Sequence, residues 1–264
     1  MTLKPYVGIT GPTSLSEVSS LVEAFATAGY SMDSPHVPML GYLVSHKTLR
    51  GQPTANRRYP PVKELSPLIE AAKGRILPMV HYNTKDHSTL ASQVGEIFVL
   101  LYNALYPCRA LQLNVVWPGV DQVKLIKDIY PEMLIVLQAS HKAMGDKTPS
   151  EIAARINAYG KSISYVLIDP SGGRGQEFDL GHSLAVYQEI REKLPELMVG
   201  FAGGFTGDNV EARVREIISR TGEDNFCIDA EGGLRDKISA EYGDDLLNSI
   251  KAQAYLQGAA KVLK

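Results

Sequence analysis

Eight short apolar runs, each followed by a stretch with helical spacing of apolar residues, succeed one another along almost the whole chain. The runs cover residues 6–10, 39–45, 76–83, 110–116, 134–140, 165–169, 197–202 and 226–230 and are rich in Val, Ile and Leu. Runs that are apolar throughout, rather than alternating, are those of parallel strands covered on both faces. The stretches between and after them, 14–28, 62–72, 90–105, 119–129, 149–158, 181–194, 209–220 and 244–263, predict helices. Ser14 with Glu17 forms a capping box, and Thr148-Pro149 places proline in a first helical turn. Strict alternation of eight strands and eight helices predicts a single (β/α)8 TIM barrel spanning 1–264. Such a barrel commonly occupies about 250 residues. A doubly wound open sheet would have to displace some of these units, and no Gly-x-Gly-x-x-Gly follows the first strand.

Charge and cysteine content narrow the function classes. A formal net charge of -2, with dispersed basic residues, gives no electrostatic footprint for nucleic acid or an anionic membrane. Cys108 and Cys227 sit inside apolar stretches without metal-ligand spacing, which predicts buried reduced thiols. No pair of histidines brackets a carboxylate at helical spacing, so neither a metal nor a cofactor is expected. The opening Met1-Thr-Leu-Lys-Pro lacks the apolar core of a signal peptide, and no apolar run approaches about 18 residues. A cytoplasmic location is the default expectation. The sequence carries no signal for oligomeric state.

Three of the strand-like runs end in glycine: Asp169-Pro-Ser-Gly172-Gly173-Arg174-Gly175, Ala202-Gly203-Gly204, and Asp229-Ala-Glu231-Gly232-Gly233. Glycine lets bare backbone N–H groups approach an anion, and barrels build phosphate sites this way at the ends of their last strands. The expected partner is therefore a phosphorylated small molecule, with Gly203, Gly204, Gly232 and Gly233 at the phosphate. A long polar loop at 45–61 follows the second strand.

Several motifs resemble phosphoribosylanthranilate isomerase of the ribulose-phosphate-binding barrels, the aldose–ketose isomerase of tryptophan biosynthesis. They are Val7-Gly8-Ile9-Thr10, Arg58-Tyr59, Val80-His81-Tyr82-Asn83, Gln112-Leu113-Asn114, Asp169 to Gly175 with Phe178-Asp179, and Gly203-Gly204 with Asp208-Asn209. The resemblance implies an Amadori rearrangement, in which an acid opens the furanose and a base removes the C2 proton. It implies Asp169 as the acid, Arg58 as a carboxylate ligand, and Asn83, Gly173, Arg174 and Gly175 around the substrate. An apolar mouth would favour the protonated form such an acid needs.

The family's basic cysteine falls on Val7 and its strand-four histidine on Asn114, so an orthodox isomerase is not expected. Among His46, His81 and His141, which follow or end strands, His81 is the chosen replacement base. His36, His87 and His182 are given no role. Glu231 would repel a phosphate unless it turns away or pairs with Arg174 or Arg235. Two functions follow: an enzyme of isomerase type acting on a phosphorylated sugar or sugar-amine, or a phosphate-ligand-binding barrel that has lost catalysis.

Overall fold

The computed structural model describes residues 3–102, 104–171 and 180–263. Strands β1 (Tyr6–Thr10), β2 (Val37–Ser45), β3 (Leu77–Asn83), β4 (Ala110–Leu113), β5 (Leu134–Ser140), β6 (Tyr165–Asp169), β7 (Met198–Ala202) and β8 (Cys227–Ala230) pair in parallel and close into a barrel in chain order. The expected TIM barrel is thus the fold. The helices are α1 (Leu15–Thr27), α2 (His46–Leu49), α3 (Leu65–Ala71), α4 (Leu90–Leu101), α5 (Val120–Ile129), α6 (His141–Met144), α7 (Pro149–Asn157), α8 (Leu180–Lys193), α9 (Val210–Thr221) and α10 (Ser249–Ala260). Both predicted helix starts hold. Ser14 Oγ accepts from the Glu17 N–H while Glu17 reaches back to the Ser14 N–H, and Thr148 with Glu151 repeats the device before Pro149. Among the described residues, no helix is long and apolar enough to cross a membrane.

Strand pairing fixes which side chains face into the barrel. A Cβ on Gly8 would meet Met39 and Asp229, which places Gly8 inward. Its register partners, Met39 on β2 and Asp229 on β8, share that parity, and pairing carries it onward through Gly41–Met79, His81–Gln112, Gln138–Leu167 and Leu167–Gly200. The lower interior is apolar, built from Tyr6, Met39, Met79, Ala110, Val136, Tyr165 and Leu167. The alternate residues, Val7 and Ile9 among them, pack against the helices in the larger core.

One predicted element differs. Residues 245–247 do not begin the last helix but form a strand, β10 (Asp245–Leu247), antiparallel to β9 (Arg235–Lys237). The reason is local: Asn248 Oδ1 accepts from the N–H groups of Ile250 and Lys251 and so starts α10. Asp245, released from the helix, turns to two arginines.

Candidate active site

Toward the C-terminal face the barrel interior changes character. The inward positions at this end include Thr10, Gly41, His81, Gln112, Gln138, Asp169, Ala202 and Asp229, all but Gly41 and Ala202 polar. Inward positions needed only for packing would be apolar, as they are toward the other end of the barrel. His81, Gln112, Asp169 and Asp229 are all buried.

The polar atoms are connected. Gln138 Nε2 donates to Asp169 Oδ2 at 2.6 Å, and Ser171 donates to Oδ1 through its N–H at 3.1 Å and its hydroxyl at 3.0 Å. Asp169 therefore sits among hydrogen-bond donors, not in the apolar mouth expected from its strand neighbours, because Val166 and Ile168 face the helices. Thr10 Oγ1 lies 3.1 and 3.0 Å from the two oxygens of Asp229 and 3.5 Å from His81 Nδ1. Burial, then the charges of Glu231 and Asp169, push the Asp229 carboxyl well above the usual carboxylate range. Burial pushes the His81 imidazole down to about 3, so at neutral pH it is uncharged. Its Nε2 and Gln112 Oε1 are buried with no hydrogen-bond partner among the described residues. Native proteins rarely leave such atoms empty unless something binds there. Gly41 makes room for the pair of side chains above it: a Cβ there would stand 2.5 Å from Thr10 Oγ1 and 2.6 Å from His81 Nε2.

Two spaces open from this layer. The inner one, about 20 Å3, is lined by His81, Gln112, Asp169, Asp229 and the glycines Gly203, Gly204 and Gly232. It has room for about one water. Asn114, Gln138, Ser171 and Glu231 line both this pocket and a vestibule of about 570 Å3 above it. That volume falls in the range of small-molecule sites.

The sequence-selected residues distribute as follows. Asp169, His81, Gly203, Gly204 and Gly232 meet at the inner pocket, and Asn83, exposed at the end of β3, lines the vestibule. Gly203 and Gly204 have φ of 106° and 64°, a left-handed turn that favours glycine. Gly233 serves packing instead, since a Cβ would meet the Phe205 carbonyl at 2.3 Å. Gly173, Arg174 and Gly175 lie outside the described residues. His141 reaches the vestibule, whereas His46 opens α2 away from both spaces.

Arg58 is differently placed from a free carboxylate ligand. Its guanidinium is bound to Asp245 through Nε and Nη2, at 3.0 and 2.6 Å, and to Glu231 Oε1 through Nη1 at 2.6 Å, with the Tyr242 ring 4.7 Å away. Arg235 joins the same Asp245 at 3.2 Å. Glu231 thus finds its cation in Arg58, and its charge at the pocket wall is matched.

Val7 also differs in a way that matters. It belongs to the helix-facing core, so no side chain at that position can reach the pocket. The β1 side chain that does reach the polar layer is Thr10.

Fold and site together define a (β/α)8 barrel with a polar, partly unsatisfied C-terminal mouth. No family model matches the sequence, and no curated relative matches it. Among solved structures, a phosphoribosyl anthranilate isomerase from Thermus thermophilus is similar with a TM-score of 0.61 and 14% identity, over 97% of this chain and 98% of that one. TrpF from Jonesia denitrificans is similar at a TM-score of 0.59 and 17% identity, over 98% of each chain. A phosphoribosyl anthranilate isomerase in complex with reduced 1-(o-carboxyphenylamino)-1-deoxyribulose 5-phosphate is similar at a TM-score of 0.59 and 14% identity, over 97% and 99%. The resemblance read from the motifs therefore extends to the architecture of the whole barrel.

Proposed function

We propose that this barrel is an isomerase-type enzyme acting on a phosphorylated sugar or sugar-amine by acid–base chemistry at the polar layer. The observation that carries the reading is the pair of buried polar atoms without a partner among the described residues, His81 Nε2 and Gln112 Oε1, on side chains that line the same pocket as Asp169 and Asp229. Sugar hydroxyls, which both donate and accept, are partners that such atoms can use. The phosphate is assigned to the turn at Gly203 and Gly204 beside Gly232, where the inner pocket must widen beyond its one-water volume to admit it. Support for a phosphorylated ligand comes from that turn and from the complex named above.

Asp169 and Asp229 are the proton-carrying pair in this proposal. A carboxyl that burial makes hold its proton more tightly is suited to act as an acid, which fits Asp229. His81 takes a different role from the base expected of it. An imidazole held near 3 is poorly matched to proton abstraction at neutral pH, but as a neutral ring it orients a hydroxyl. The mechanism needs no thiol.

The test follows solvent deuterium into C2 of ribose 5-phosphate and of phosphoribosylanthranilate by NMR, with thermal unfolding as the binding readout. Wild type should gain stability with the phosphorylated sugar and not with ribose, and should exchange the C2 proton. Loss of exchange in Asp169→Asn and Asp229→Asn, with binding kept, supports the enzyme. Binding without exchange in wild type would leave a ligand-binding barrel, and no binding at all would remove both readings.

A further inference from the structure

The vestibule carries a charge pattern opposite to that of the pocket beneath it. Lys85 and His87 line it from the loop after β3, and His141 and Lys142 line it from the start of α6 after β5. Lys85 and Lys142 make no hydrogen bond or ion pair among the described residues. Asp86, the acid nearest in sequence, has its carboxylate engaged by Ser88 and Thr89. Glu231 is the one acid in the lining among the described residues, and Arg58 holds it. The floor of the cavity thus presents acceptors, while one wall presents ammonium groups without partners. Arg58 is already bound to Asp245 and Glu231, and Arg235 to Asp245.

We propose that Lys85 and Lys142 form an anion subsite in the vestibule, and hence that the ligand carries a second phosphate besides the phosphate at the glycine turn. The inference rests on the sugar-phosphate reading above and names the other end of that ligand. Strand β3 lies across the barrel from β7, while β5 is two strands from β7, so an anion held by Lys85 and one at the glycine turn flank Asp169 and Asp229 from opposite sides, with Lys142 reaching in from between them. Two ammonium groups on flexible stems suit an anion arriving at an open mouth, where a planar guanidinium would fix one geometry.

Isothermal titration with ribulose 5-phosphate and ribulose 1,5-bisphosphate tests the subsite, because the two probes differ only in the second phosphate. Wild type should bind the bisphosphate at least about tenfold more tightly, which is about 1.4 kcal/mol. That advantage should shrink as salt is raised, as expected for exposed charges. In Lys85→Met/Lys142→Met the advantage should fall to about twofold or less, with monophosphate affinity unchanged. The lysines are exposed and unpaired, so the variant should keep the wild-type circular dichroism spectrum. Monophosphate binding with no gain from the second phosphate overturns the subsite and leaves the function reading standing. An advantage that survives in the double variant overturns the assignment to these lysines. Failure of both probes to bind overturns subsite and function reading together.

Discussion

Replacing Asp245 by asparagine should destabilise the barrel far more than removing the arginine–aspartate pair one residue away. Arg58, Arg235 and Asp245 are about as buried as core residues, with side chains 4%, 3% and 4% exposed. Asp245→Asn keeps the shape and one acceptor oxygen but leaves two buried guanidinium groups facing the single carboxylate of Glu231. Two unit charges about 4 Å apart interact by about 4 kcal/mol at an effective dielectric of 20. Removing one partner of a buried ion pair accordingly costs about 3–5 kcal/mol. For a chain of this size each kcal/mol shifts Tm by about 2–4 °C, so the loss should be roughly 6–20 °C. Arg57 bonds Asp244 at 2.8 Å, but those side chains are 58% and 24% exposed. Arg57→Ala should therefore cost no more than about 1 kcal/mol. Thermal unfolding followed by circular dichroism, with urea titration for the free energies, measures both. Equal effects, or an Asp245→Asn variant within about 0.5 kcal/mol of wild type, would refute the view that this network is desolvated and held by charge pairing.

Other outcomes follow from the buried polar layer. Folded His81 titrates near 3 against about 6.5 in the unfolded chain, so acidification through that window protonates the unfolded state first and removes stability. His81→Gln should lose less Tm than wild type between pH 7 and 4; parallel losses would count against a buried neutral imidazole. Asp229 has the opposite sign. Its raised folded pKa makes the stabilisation it lends complete below about 3.9 and lost as pH rises toward the folded value. Asp229→Asn should therefore gain on wild type as pH rises above about 4, and a constant difference would contradict this. Gly203→Ala puts a Cβ at φ 106° and 3.0 Å from Ser171 Oγ, so it should cost about 1–3 kcal/mol and weaken ribose 5-phosphate binding; neutral behaviour in both would remove the glycine turn from the site.

The barrel was legible because parallel strands covered on both faces must be written as apolar runs, and the helices between them carry their own caps. The polar interior positions are written in the sequence as polar residues that interrupt such runs, a signal used for His81 and passed over elsewhere. His81 stands between Val80 and Tyr82, and the same signal marks Gln112 between Leu111 and Leu113, Gln138 between Leu137 and Ala139, and Asp229 between Ile228 and Ala230. A lone polar residue in a doubly covered strand points inward, to the barrel's own cavity, since the outer face meets packed helices. The connection of Arg58 to Asp245 was not legible. It spans 187 residues of sequence and depends on a two-stranded sheet, β9–β10, whose second strand has no pattern that separates it from the helix following it.

The placement of Val7 shows what an apolar run conceals. Because β1 is buried on both faces, nothing in Tyr6-Val-Gly-Ile-Thr10 tells inward residues from outward ones; the register with β2 and β8 does. That register turns Val7 to the helices, so Val7→Cys would bury a thiol in the outer core and should not create isomerase activity. Nor can Gly8 carry a base, because its Cβ would stand 2.5 Å from Met39 Cε and 2.8 Å from Asp229 Oδ1. The only β1 side chain left in the polar layer is Thr10, and its hydroxyl bonds both oxygens of Asp229. Space that a longer side chain on β1 would need is occupied by the β8 carboxyl itself. In the proposed mechanism, proton transfer on this side of the pocket therefore falls to β8, with Thr10 as the hydroxyl between Asp229 and His81.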